Sequence, residues 1–160
     1  MQNKDNKFLI VGLVDDFIDQ LSADLAYDNN LYYLNVENLI NYSILEKQKL
    51  IDTCGVEYFK KQEEKIISSL KDYENIIACI KYSTFVEYCD KLRGIFNIVY
   101  FEIDEKNIKE NKRNKLATEN LNRIAFAERD KFLKNNCDIT LKCDINNMKQ
   151  NLKAFKAIQF

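Results

Sequence analysis

Five short apolar runs, separated by stretches of helical periodicity, constrain the fold of this chain more than any other feature. They are residues 8–11, 31–34, 76–80, 96–103 and 139–141. A short run with little polar alternation reads as a strand buried on both faces, and such strands occur in parallel sheets covered by helices. After the first run, Phe17, Leu21 and Leu25 fall four apart with Ile18 and Ala26 beside them, so a helix begins at Asp15 or Asp16. Asn35 is an N-cap candidate for a helix carrying Val36, Leu39 and Ile40. Helical spacing continues over 44–52 and 56–73, the second placing Phe59, Ile66, Ile67 and Leu70 on one side. A helix over 85–92 stops near Gly94, another runs from Leu121 through Phe132, and Met148, Leu152, Phe155 and Ile158 mark a closing helix. Strands alternating with helices predict a three-layer α/β/α sandwich on a five-stranded parallel sheet, in one domain over 1–160.

The rarer residues exclude several chemistries. The 160 residues contain no His, so a His-based triad, a His-ligated zinc or haem and an imidazole base are ruled out. Glycine occurs only at 12, 55 and 94, too sparsely for a glycine-rich phosphate cradle. With 24 Lys+Arg against 25 Asp+Glu, the chain lacks the basic excess that a nucleic-acid partner needs, and its nine tyrosines form no basic-aromatic array. Those tyrosines read as half-buried packing residues with wet hydroxyls. Cys54, Cys79, Cys89, Cys137 and Cys143 are odd in number with no Cys-x-x-Cys pair, which points to a reducing, cytoplasmic setting. Cys79 and Cys143 fall in apolar or β-like runs and read as small buried hydrophobes. The polar N-terminus precedes an apolar run too short for a signal peptide or a membrane span.

In a parallel sheet, ligands bind beyond the carboxyl ends of the strands. After the first strand comes Gly12-Leu13-Val14-Asp15-Asp16-Phe17-Ile18-Asp19, and after the second and third come Asn35-Val36-Glu37 and Lys81-Tyr82-Ser83. Together with Phe59-Lys60-Lys61-Gln62-Glu63, Glu128-Arg129 and Cys137-Asp138-Ile139-Thr140-Leu141, these segments resemble the shikimate kinase family of small P-loop kinases. The family pattern Gly-x-x-x-x-Gly-Lys-[Ser/Thr] begins at Gly12, and its downstream Leu-Ala falls on Leu25-Ala26. The resemblance implies the P-loop kinase fold with strand order 2-3-1-4-5. It implies Asn35, Glu37, Lys60 and Arg129 as substrate-binding positions, the last two holding a carboxylate-bearing small molecule. It also implies a lid, shortened here to 105–119, in which Lys112 and Arg113 could supply cations.

The chain departs from the family where phosphate chemistry is done. The second glycine of the loop is Phe17, the phosphate lysine is Ile18 and the magnesium hydroxyl is Asp19, so the P-loop is degenerate and no catalytic residue is assigned. Each carboxylate–phosphate pair about 5 Å apart costs roughly 3 kcal/mol at an effective dielectric near 20. Asp15, Asp16 and Asp19 together therefore outweigh the ~0.3–2 kcal/mol a helix N-terminus offers an anion. No cofactor is expected; ATP and Mg²⁺ enter only on the reading of a live kinase. The three aspartates have a plain role as first-turn helix residues, and two alternatives stand beside it. One is an oxygen-lined cation site, although no metal is assigned; the other is a nucleotide site in which Lys81 replaces the missing lysine. A further expectation is that Lys81 pairs with Asp15 or Asp16 and fills the vacated phosphate pocket. Lys60 on a solvated face and Arg129 in a helix salt bridge are the ordinary readings of those two residues. Three functions follow: an inactive small-ligand sensor or regulatory or assembly partner, an active kinase of shikimate or a related hydroxy acid, and a purely structural interaction module, with neither nucleic acid nor membrane as partner.

Overall fold

The computed structural model describes residues 4–44, 47–104 and 123–158. Five parallel strands form one sheet: β1 (Lys7–Val11), β2 (Tyr32–Asn35), β3 (Ile76–Cys79), β4 (Asn97–Glu102) and β5 (Ile139–Lys142). Their order is β2-β3-β1-β4-β5, as the resemblance implies. Pairing is in register throughout, with Leu9 opposite Ala78 on one side and Ile98 on the other. The central strands carry apolar side chains on both faces because helices cover both. Leu9, Val11, Ala78, Ile98 and Tyr100 face one core; Ile10, Ile77, Cys79, Val99 and Phe101 face the other.

The second core is closed by α1 (Asp15–Asp28) and α8 (Met148–Lys156). Phe17, Ile18, Leu21 and Leu25 form the apolar stripe of α1 and are buried, as their spacing predicts. Full burial of each such side chain contributes about 1.5–3 kcal/mol. Phe155 of α8 meets Phe8 edge-on with ring centroids 5.1 Å apart. The opposite layer holds α2 (Val36–Ser43), α3 (Lys47–Cys54), α4 (Val56–Ser69), α5 (Tyr82–Glu87), α6 (Cys89–Ile95) and α7 (Arg123–Asn136). Asn35 caps α2 as anticipated, its side-chain oxygen accepting from the Asn38 N–H at 3.1 Å. The Lys7 ammonium, almost fully buried, donates to the carbonyls of Leu70 and Lys71 in the short 3-10 turn that ends α4. Burial pushes its pKa down, against the attraction of Glu74 and Asp72.

Two expectations are corrected. The segment read as one helix over 85–92 is two, α5 and α6, broken at Tyr88, whose hydroxyl reaches across to Glu63 on α4. The tyrosines do not share one environment: Tyr100 is fully buried, whereas Tyr27, Tyr32 and Tyr42 are 91%, 75% and 81% exposed. The physical reason is position, since Tyr100 lies on a central strand and Tyr32 on the edge strand β2. The lid over 105–119, with Lys112 and Arg113, lies outside the described residues.

Candidate functional site

The carboxyl ends of β1, β2 and β3 open onto a cleft of about 220 Å³, lined by Asp15, Asp16, Ile18, Asp19, Asn35, Glu37 and Lys81 among others. One wall is the start of α1, joined to β1 by a short connecting turn. That turn is only three residues, Gly12 to Val14, because α1 is already helical at Asp15. Asp15 and Asp16 occupy the first turn of α1. Ile18 closes the turn from behind: it is buried, and a Cβ placed on Gly12 would meet its Cδ1 at 2.4 Å and its Cγ1 at 2.6 Å. Gly12 is thus small because a side chain, rather than a ligand, lies against it.

Asp19 ties the cleft together. Its Oδ1 accepts from the Tyr33 hydroxyl, from Asn35 Nδ2 at 3.0 Å and from the Cys79 thiol at 3.5 Å. Since Asn35 also caps α2, one amide links α1, β2 and α2. Burial, then the Asp19 carboxylate, pushes the Cys79 thiol far above its ordinary pKa, so it stays a neutral donor. The buried-hydrophobe reading of Cys79 describes its burial and misses this bond.

Lys81 enters the same cleft from the end of β3. Its backbone N–H is 3.4 Å from Glu37 Oε1, and its ammonium lowers the Asp15 pKa through space. Yet among the described residues no ion pair within 4.0 Å joins Lys81 to Asp15 or Asp16, so the expected pairing is attraction without contact. An exposed ammonium in water gains little by closing such a pair. The Asp15 pKa is nevertheless raised: desolvation is the largest cause, opposed by Lys81, and the Glu37 and Asp16 carboxylates add to it. Carboxylates crowd this cleft more than one lysine offsets. Among the described residues, no cluster of His, Cys, Asp and Glu has the geometry to hold a metal ion.

The two remaining candidates touch opposite ends of α5: Arg129 of α7 meets Tyr82, its first residue, and Lys60 of α4 meets Glu87, its last. Arg129 lies over the Tyr82 ring, 4.8 Å from its centroid, in a cation–π contact. Burial raises the Tyr82 pKa, and Arg129 opposes it. Lys60 reaches Glu63 at 3.3 Å and Glu87 at 2.9 Å. Glu63 is buried and also accepts from the Tyr88 hydroxyl at 2.7 Å. Burial lowers the Lys60 pKa, but its bonds to Glu87 and Glu63 outweigh that and raise it. Glu63 was visible in the sequence as the last residue of the Phe59-Lys60-Lys61-Gln62-Glu63 motif; Glu87, Tyr88 and Tyr33 carried no signal.

No family model matches the sequence, and no curated protein matches it. Solved structures do match. Shikimate kinase from Aquifex aeolicus superposes with a TM-score of 0.63 at 16% identity, over 93% of this chain and 95% of that one. The enzyme from Bacteroides thetaiotaomicron gives 0.68 at 11% identity over 93% and 95%. This chain has the shikimate kinase fold. Shikimate kinase from Acinetobacter baumannii, solved in complex with shikimate, gives 0.66 at 11% identity over 93% and 89%. At these identities the likeness establishes the P-loop kinase architecture, and function has to be argued from the site.

Proposed function

We propose that this shikimate kinase-fold chain is a cytoplasmic small-ligand sensor or regulatory partner that does not transfer phosphate. The observation that carries the reading is the packing of Ile18 on Gly12 under a helix that starts at Asp15. A phosphate loop works by turning successive backbone N–H groups and a lysine toward the β- and γ-phosphates. Here the turn is short, the lysine position is an apolar core residue, and Asp15, Asp16 and Asp19 line the space a triphosphate would enter. A carboxylate-bearing ligand fits the reading at Lys60, which already holds carboxylates. Five free thiols, two of them buried, accord with a reducing compartment. Among the described residues no helix is long and apolar enough to cross a membrane.

Thermal unfolding with Mg·ATP, with shikimate and with both tests the proposal. A ligand at 100 times its dissociation constant adds about 2.7 kcal/mol, or about 5–10 °C in a chain of this size. The expected result is no shift with Mg·ATP up to millimolar concentration. A clear Mg·ATP shift overturns the reading and restores the live-kinase alternative, for which Lys81→Ala should then abolish phosphoryl transfer.

A further inference from the structure

The two carboxylates on Lys60 differ in standing. Glu63 is the inner partner: it is buried, and the Tyr88 hydroxyl holds it from a second side. Glu87 is the outer partner, at the last residue of α5, with both oxygens within 3.0 Å of the ammonium and a side chain 42% exposed. Lys60 and Glu87 both line a groove of about 650 Å³ whose walls include Val86, Tyr88, Phe132 and Asn136. Of the two, only the outer carboxylate faces the space a ligand can occupy.

We propose that Glu87 is a built-in competitor, holding the Lys60 ammonium until a small carboxylate ligand displaces it from the groove. The inference rests on the reading of this chain as a small-ligand binder and names how that binding is regulated. Displacement exchanges like for like: one carboxylate leaves the ammonium, another takes its place, and no covalent bond forms or breaks. Glu63 stays, so Lys60 remains charged and aimed while the outer partner changes. Ion pairs as exposed as Lys60–Glu87 are weak, so Glu87 can swing into solvent at small cost. Val86, 40% exposed, and Phe132 offer apolar surface for the body of the ligand.

The test uses benzoate, a carboxylate on an apolar body, with benzamide as its uncharged counterpart, titrated against the full chain and followed by amide chemical shifts of residues 86–89. Glu87→Gln keeps the shape of the side chain and removes the competing charge. It is expected to bind benzoate about two- to fivefold more tightly than the unmodified chain, the range an exposed ion pair spans. Lys60→Met is expected to lose benzoate binding, and benzamide to bind none of the three proteins. Unchanged or weaker affinity in Glu87→Gln overturns the proposal, as does benzoate binding that survives in Lys60→Met. Circular dichroism melts of each variant confirm the folded state. Mg·ATP added to the same samples reports separately on the absence of phosphate binding, so that reading can fail while the Glu87 result still stands or falls alone.

Discussion

At Gly12 the energetics of a single methyl group are open to measurement. Alanine there drives Cβ to 2.4 Å from Ile18 Cδ1, so the Ile18 side chain or the turn must move. Overpacking of this kind costs about 1–3 kcal/mol. Ile18→Val alone removes the nearest carbon and costs about 0.5–1.5 kcal/mol. In combination the two should fall short of their sum by about 1 kcal/mol, because the second removes Cδ1, the nearer of the two carbons the first clashes with, while Cγ1 at 2.6 Å stays. Chemical denaturation of the four proteins checks this; strict additivity would mean that Ile18 does not lie on Gly12. Asp15 makes a second prediction. Its pKa is raised in the fold, chiefly by desolvation, so ionising it costs stability at neutral pH. Acidification lets the folded state take up the proton first, so this cost shrinks as pH falls through the raised value. It vanishes below the unfolded value of about 3.9, where both states are protonated. Asp15→Asn should therefore melt above the unmodified chain at pH 7 and level with it near pH 3.

Among elements, Asp19 is the tie. Its carboxylate is the shared acceptor through which Tyr33, Asn35 and Cys79 join α1, β2 and β3 in the cleft. Asp19→Ala leaves those donors without their acceptor, and such losses cost about 1–3 kcal/mol. The expected drop in melting temperature is about 3–10 °C, with Asp19→Asn losing less because one acceptor oxygen remains. Equal melting of the alanine and asparagine variants would count against the hydrogen bonds. None of this was legible beforehand, because the partners lie 14, 16 and 60 residues away and nothing in local spacing selects them. What was legible was periodicity. The strands β1, β3 and β4 are buried on both faces and read as unbroken apolar runs, while α1 shows its stripe at every fourth residue. The break between α5 and α6 was not legible, since it answers to Tyr88 reaching Glu63 on another helix. In the candidate site, Asp15, Ile18, Asn35, Glu37 and Lys81 do converge on one cleft because strand ends converge in any parallel sheet, with Gly12 lying against Ile18. The partners that Lys60 and Arg129 take are set by packing, which the motifs do not encode.

On the scale of the molecule, one sheet serves two cores. Leu9 and Tyr100 point into one layer, Ile10 and Phe101 into the other, and they alternate along the same strands. Neither layer can open without exposing strands that the other layer needs. Phe85, fully buried under α7 beside Phe132, belongs to the first core, and Phe155, packed on Phe8, to the second. Leucine at either position removes part of a ring and should cost about 1–3 kcal/mol. If the layers were independent, each substitution would split the unfolding curve, lowering one step and sparing the other. A shared sheet makes the opposite outcome the expected one, a single transition displaced as a whole. Far-ultraviolet circular dichroism reports helices on both sides, and tyrosine fluorescence, in a chain with no tryptophan, includes Tyr100 on the first side alone of the fully buried positions. The two signals should superimpose for the unmodified chain, for Phe85→Leu and for Phe155→Leu. Melting of Phe155→Leu in two steps, with the tyrosine signal lagging, would show that α1 and α8 can detach while the rest of the sandwich holds.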